Sequence, residues 1–127
     1  DKLIFHCDGS DVQYIVALDA KTGKIAWKTD RSGEMAKDPQ LKKAYGTPII
    51  MKVGDRDTVI SPAADWMYGY DPRTGEELWK VRYGFLGFSI VPRPVAGHGL
   101  VYMSTSFMQS ALLAIKVDGS SANPTIA

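Results

Sequence analysis

Twelve residues of this chain are written nearly twice. Ala17 to Lys28 reads ALDAKTGKIAWK, and Gly69 to Lys80 reads GYDPRTGEELWK. Asp19 and Asp71, Thr22 and Thr74, Gly23 and Gly75, and Trp27 and Trp79 hold equivalent places at an offset of 52 residues. A weaker third copy follows, in which Ala114-Ile115-Lys116-Val117-Asp118-Gly119 stands where Gly69 to Thr74 stood. Upstream, Thr47-Pro48-Ile49-Ile50 resembles Arg93-Pro94-Val95-Ala96 at an offset of 46. A unit repeated at this period is too small to bury its own apolar face. It has to stack on its neighbours, so the chain is constrained to an architecture of repeated layers.

The local chemistry makes those layers sheets. Tyr14 to Leu18, Thr58 to Ile60 and Leu100 to Met103 are short runs rich in β-branched and aromatic residues, each bounded by turn residues. Val53-Gly54-Asp55-Arg56-Asp57 and Ala96-Gly97-His98-Gly99 read as hairpin turns between apolar runs. In Asp-Ala-Lys-Thr-Gly, the Asp and Thr side chains can accept from nearby backbone N–H groups, and the glycine can take positive φ. A tight turn is therefore expected between a strand ending near Leu18 and one starting near Lys24, and Pro72 suits the same turn in the second copy. Periods a little above 40 match four-stranded propeller blades. The expectation is an all-β fold of about three four-stranded antiparallel blades, near residues 1–30, 44–83 and 88–119. Residues 31–43 read as a surface insertion with a helical turn around Gln40 to Ala44, and Gly84 to Phe88 as an apolar connection tucked against a neighbouring blade.

With the motif Ala17-x-Asp19-x-x-Thr22-Gly23-x-x-x-Trp27 and its copy Gly69-x-Asp71-x-x-Thr74-Gly75-x-x-x-Trp79, the chain resembles the pyrroloquinoline-quinone-type (PQQ-like) β-propellers. That superfamily includes quinoprotein alcohol dehydrogenases and the outer-membrane assembly lipoprotein of the BamB type. The resemblance implies that Trp27 and Trp79 are docking residues between blades, seated on Ala17, Gly23, Gly69 and Gly75, with Asp19, Asp71, Thr22 and Thr74 shaping the turns. It implies a periplasmic or extracellular setting and a place in a larger ring of seven or eight blades. The third copy has Lys116 where the Asp belongs and lacks the Trp. A three-blade arc leaves apolar faces open, so the remaining blades of the same propeller are the expected partners, or association closes the arc.

Chemistry is harder to find. The sequence carries 15 Lys and Arg against 14 Asp and Glu, a formal net charge of +1, which gives no broad field for capturing nucleic acid. The cluster of Lys37, Lys42 and Lys43 reads as a solvated surface. No apolar run approaches the roughly 18 residues that direct membrane insertion needs. Asp8, Asp11, Asp55, Asp57 and Asp65 fall at turns, where capping explains them. His6 and Cys7 are neighbours on a strand and point to opposite faces, which disfavours a shared metal. Ser104-Thr105-Ser106 lacks a nucleophile elbow, and His98 sits in a Gly-His-Gly turn. Trp66 to Tyr70 reads as core packing with Trp66 the exposed exception. The residues thus suggest a non-catalytic scaffold or protein-binding segment with no cofactor. Under two further readings the blades are wall material of a PQQ- and calcium-dependent dehydrogenase, or belong to the sensor ectodomain of a membrane protein.

Overall fold

The computed structural model describes residues 1–84, 86, 88–105, 107–117 and 125–126. Among these described residues, eleven strands form three antiparallel sheets in chain order. Sheet one runs β1 (Lys2–Asp8), β2 (Gln13–Asp19) and β3 (Ile25–Asp30). Sheet two runs β4 (Ile49–Val53), β5 (Arg56–Pro62), β6 (Trp66–Tyr70) and β7 (Glu77–Arg82). Sheet three runs β8 (Val95–Gly97), β9 (Leu100–Thr105), β10 (Ala111–Lys116) and β11 (Thr125–Ile126). Among the described residues, sheet one has three strands and the other two have four. A 3₁₀ turn, Pro39–Lys42, stands in the connection between sheets one and two.

Turn chemistry joins neighbouring strands. Gly54 (φ 60°) sits in the two-residue turn between β4 and β5, and His98 (φ 53°) with Gly99 (φ 74°) in the turn between β8 and β9. Positive φ at both central residues, as at His98 and Gly99, or at the first alone, as at Gly54, is the hairpin geometry whose twist matches that of the flanking strands. Within each repeat the register slips by one residue at the same place, between Ala17 and Leu18 and between Gly69 and Tyr70. The extra residues are Ala26 and Leu78, and the bulge brings Trp27 opposite Ala17 and Trp79 opposite Gly69.

Two layers of side chains fill the spaces between sheets. Ile15, Ala17, Trp27, Val59, Tyr68 and Tyr70 pack sheet one on sheet two. Ile49, Val53, Ile60, Met67 and Trp79 meet Val101, Met103, Leu113 and Ile115 between sheets two and three. Strand alternation explains why neighbours separate: Val59 serves one layer and Ile60 the other, and Met67 parts from Tyr68 in the same way. The connection after β7 contributes Leu86 to the second layer, while Phe85 and Gly87 lie outside the described residues.

Candidate functional site

Both copies of the repeated motif build the same turn. Asp19 accepts hydrogen bonds from the backbone N–H groups of Lys21 (3.1 Å) and Thr22 (2.8 Å) and from the Thr22 hydroxyl (2.9 Å). Asp71 accepts from the N–H of Arg73 at 2.7 Å, and the Thr74 hydroxyl accepts from the N–H of Glu76 at 3.2 Å. These donors hold both carboxyls below their usual range, Asp19 mainly through Thr22 and Asp71 mainly through Arg73. The N–H groups of Gly23 and Gly75 close the turns onto the carbonyls of Asp19 and Asp71, each at 2.9 Å and each with positive φ.

Both tryptophans stand in the layers between sheets. Trp27 reaches from β3 to the turn of sheet two, where its Nε1–H donates to the carbonyl of Pro72 at 3.1 Å. Its indole lies on Gly75: a Cβ added there would stand 2.6 Å from Trp27 Cδ2. Beside it, the Thr29 hydroxyl donates to the Gly75 carbonyl at 2.7 Å. Trp79 stands in the layer between sheets two and three; a Cβ on Gly69 would stand 2.5 Å from Trp79 Nε1, and that buried N–H finds no acceptor among the described residues. In the third copy Ala114 lies in β10 and Lys116 is exposed, while Asp118 and Gly119 fall outside the described residues.

A polar junction that the sequence did not advertise lies between sheets one and two. Arg31, the first residue after β3, is buried. Its Nε and Nη2 donate to the two oxygens of Asp8 at 3.1 and 2.9 Å, Nη1 donates to Tyr70 Oη at 3.2 Å, and Nη2 also donates to Ser61 Oγ at 2.8 Å. The guanidinium faces the Tyr68 ring, 4.9 Å from its centroid. One side chain therefore ties β1, β5 and β6 together. Burial works against the Arg31 charge and the Asp8 carboxylate outweighs it, so the charged form is favoured. Burial also raises Tyr68 and Tyr70, the latter to about 12.

His6 completes this junction. Its Nδ1 is 3.1 Å from Ser61 Oγ, and its Nε2 lies 3.9 Å from Asp8 Oδ2, too far for a hydrogen bond. Burial lowers its pKa to about 4, with Asp8 opposing and Arg31 assisting, so the imidazole is neutral at neutral pH. Serine, histidine and aspartate in a row invite comparison with a hydrolytic triad. The His6 and Asp8 side chains are only 2% and 1% exposed and Ser61 is wholly buried, so no substrate reaches the hydroxyl. The arrangement is a clamp.

The start of the 31–43 segment is anchored rather than free. Tyr68 Oη donates to the Ser32 carbonyl at 2.6 Å, Trp66 Nε1 donates to the Glu34 carbonyl at 2.9 Å, and Gly33 lies against the Trp66 ring. Trp66 is half-buried, with Lys80 and Arg82 over its ring. The segment reads as polar and loop-like, but its partners come from sheet two, which a local pattern cannot show.

The remaining candidates are structural. Asp11 accepts from the N–H of Val12, Asp57 pairs with exposed Lys52, and Asp65 turns the chain between β5 and β6 at φ 64°. Thr105 accepts from the N–H of Ala111 at 2.8 Å and donates to the Gln109 carbonyl at 2.9 Å, and Ser106 lies outside the described residues. A calcium or PQQ site needs converging carboxylates, and among the described residues no three of His, Cys, Asp and Glu come together to hold a metal.

Connecting segments form a different surface. Tyr45, Ser89, Val91 and Phe107 line an open cleft of about 450 Å³. Tyr45, Val91, Phe107 and neighbouring Met108 are all more than half exposed. Its walls are ordered: Tyr45 N–H donates to the Ile90 carbonyl at 2.7 Å, Ser89 N–H to the Lys43 carbonyl at 2.8 Å, and Phe107 packs edge-on to Phe88. Singly these residues read as loop positions in the sequence; three separate segments meet to make the patch.

Three stacked antiparallel sheets with a repeated strand–turn–strand unit define a PQQ-like β-propeller segment. The model of one protein family, described as outer membrane protein assembly factor BamB, matches residues 5–122, and the chain belongs to that family. No curated protein matches it at a significant level. Among the described residues, no helix is long and apolar enough to cross a membrane.

Proposed function

We propose that this chain is a non-catalytic propeller segment that works as a scaffold and presents a protein-binding surface, in a periplasmic or extracellular setting. The observation that carries the reading is the ordered apolar cleft of Tyr45, Val91 and Phe107. Exposed apolar patches rimmed by polar residues mark interaction sites, and here the patch is framed by backbone hydrogen bonds while the serine–histidine–aspartate row is sealed. In this reading Trp27 and Trp79 are staples between blades, and the family's description as an outer membrane protein assembly factor supports a binding role in that assembly. The blades near residues 1–30, 44–83 and 88–119 stack with further blades of the same kind.

Site-specific photocrosslinking tests the surface. A photoreactive residue at Val91 or Met108 is expected to give a discrete protein adduct in cells, and one at exposed Lys21 or Arg73 is not. Equal labelling at all four positions, or none, would overturn the assignment. Addition of PQQ and calcium is expected to leave the melting temperature unchanged, since ligand that binds only the folded state would raise it.

A further inference from the structure

The walls of the Tyr45–Val91–Phe107 cleft follow strand-like alternation. Ala44 and Ile90 form a parallel bridge, and both are buried. Successive side chains on extended backbone point to opposite sides. Lys43, whose backbone is extended, and Tyr45 therefore turn outward on either side of Ala44, as Ser89 and Val91 do around Ile90. Beyond Val91 the alternation continues through half-buried Pro92 to exposed Arg93. The third wall is held by the bridge between Phe107 and Phe88. The outward face of the cleft thus carries a cation next to its apolar residues in two of its segments.

Charge is distributed unevenly around this cleft. The segments that wall it, residues 39–48, 84–95 and 105–111, contain Lys42, Lys43 and Arg93 and neither aspartate nor glutamate. Three cations without an anion give these segments a formal +3, whereas the whole chain carries +1. Among the described residues none of the three cations stands in an ion pair. Lys43 Nζ donates to the uncharged side chain of Gln40. The carboxylates that come close along the backbone are engaged elsewhere. Asp8, whose carbonyl accepts from Ala44 N–H, has both side-chain oxygens on Arg31. Asp38 accepts from Gln40 N–H at 2.9 Å, at the start of the 3₁₀ turn.

We propose that this cleft receives an acidic segment of a partner protein, with a large apolar side chain seated among Tyr45, Val91 and Phe107 and flanking carboxylates meeting Lys43 and Arg93. The proposal rests on the protein-binding reading above and names the chemistry of the partner. Charge complementarity carries it: unpaired cations beside an apolar seat attract an acidic partner and repel a basic one. An anionic membrane offers the same combination of charge and apolarity, but the geometry favours a protein. These apolar residues line a cleft of about 450 Å³, which takes in side chains. Lying in a bilayer interface calls instead for a continuous apolar face sunk among the lipids.

The probes are two hexapeptides, a leucine–phenylalanine pair flanked by glutamates and the same pair flanked by lysines. Each is titrated into the isotope-labelled 127-residue chain. The acidic peptide is expected to shift the amides of Tyr45, Val91 and Phe107 and to bind about tenfold tighter than the basic one, a preference that shrinks as salt is raised. Lys43→Glu combined with Arg93→Glu is expected to weaken its binding about tenfold. Lys21→Glu combined with Lys24→Glu, the same change of charge on the exposed turn of sheet one, is expected to leave binding unchanged. No binding, equal binding of the two peptides, or affinity that survives the changes at Lys43 and Arg93 would overturn the proposal. So would sedimentation of the chain with phosphatidylglycerol vesicles that the acidic peptide does not compete away. A discrete adduct from Val91 alongside any of these results keeps the protein-binding surface and removes only its acidic partner, so the two readings fail separately.

Discussion

Gly75 and Gly23 offer a controlled measurement of what the first tryptophan does. Both close the same turn with nearly the same backbone, φ 76° and φ 70°. Placing a side chain in that left-handed conformation costs about 1–2 kcal/mol at either position. Around Gly23 nothing lies within 4 Å of an added Cβ, so Gly23→Ala should cost that amount and no more. At Gly75 the added Cβ would stand 2.6 Å from Trp27 Cδ2 and 2.9 Å from Thr29 Oγ1. Displacing an indole held by its bond to Pro72 adds an overpacking cost of about 1–3 kcal/mol. Gly75→Ala should therefore be the more damaging by that margin. Urea unfolding followed by far-ultraviolet circular dichroism measures both, a probe that survives loss of a tryptophan. Trp27→Leu supplies the second arm: without the indole, the excess cost of Gly75→Ala should vanish, a coupling of about 1–3 kcal/mol between residues of different sheets. Equal costs for the two glycine variants, or an excess that persists without Trp27, would refute the stapling argument.

Three further outcomes follow from the buried groups. Arg31→Met should destabilise the fold by about 3–5 kcal/mol, because Asp8 is left as an uncompensated buried charge, and Arg31→Met with Asp8→Leu should recover part of that loss in the same urea assay. His6, with a folded pKa of about 4 against an ordinary 6.5, is neutral in the native state, so its contribution is present above pH 6.5 and is lost as the pH falls toward 4. At about 1.4 kcal/mol per unit this is of order 3 kcal/mol, and unfolding free energies at pH 7 and pH 5 should differ less in His6→Gln than in the parent. Trp27→Ala should cost about 3–5 kcal/mol, and a loss below about 1 kcal/mol would mean that the indole is not a staple.

Repetition made the architecture legible. The doubled phrase fixes a strand, a turn and a strand by local chemistry alone: Asp19 and Thr22 bond to their own turn, Gly23 supplies its φ, and Pro72 suits the same place in the second copy. Alternation in Trp66 to Tyr70 likewise shows which residues part company across the sheet. These features depend on contacts within a few residues, so a reader of the chain can find them. Arg31 could not be found this way. It stands in a polar stretch that reads as surface, and only the approach of Asp8, Ser61 and Tyr70 from three strands makes it an interior residue.

The candidate surface belongs to tertiary structure for the same reason. Tyr45, Val91 and Phe107 are ordinary loop residues until separate connections place them around one cleft. The sequence by itself determined the repeated unit, its turns and the sheet class, because these are short-range. The stacked sheets decided which polar side chains are sealed and which loop residues meet at one surface, because those follow from distances between residues far apart in the chain.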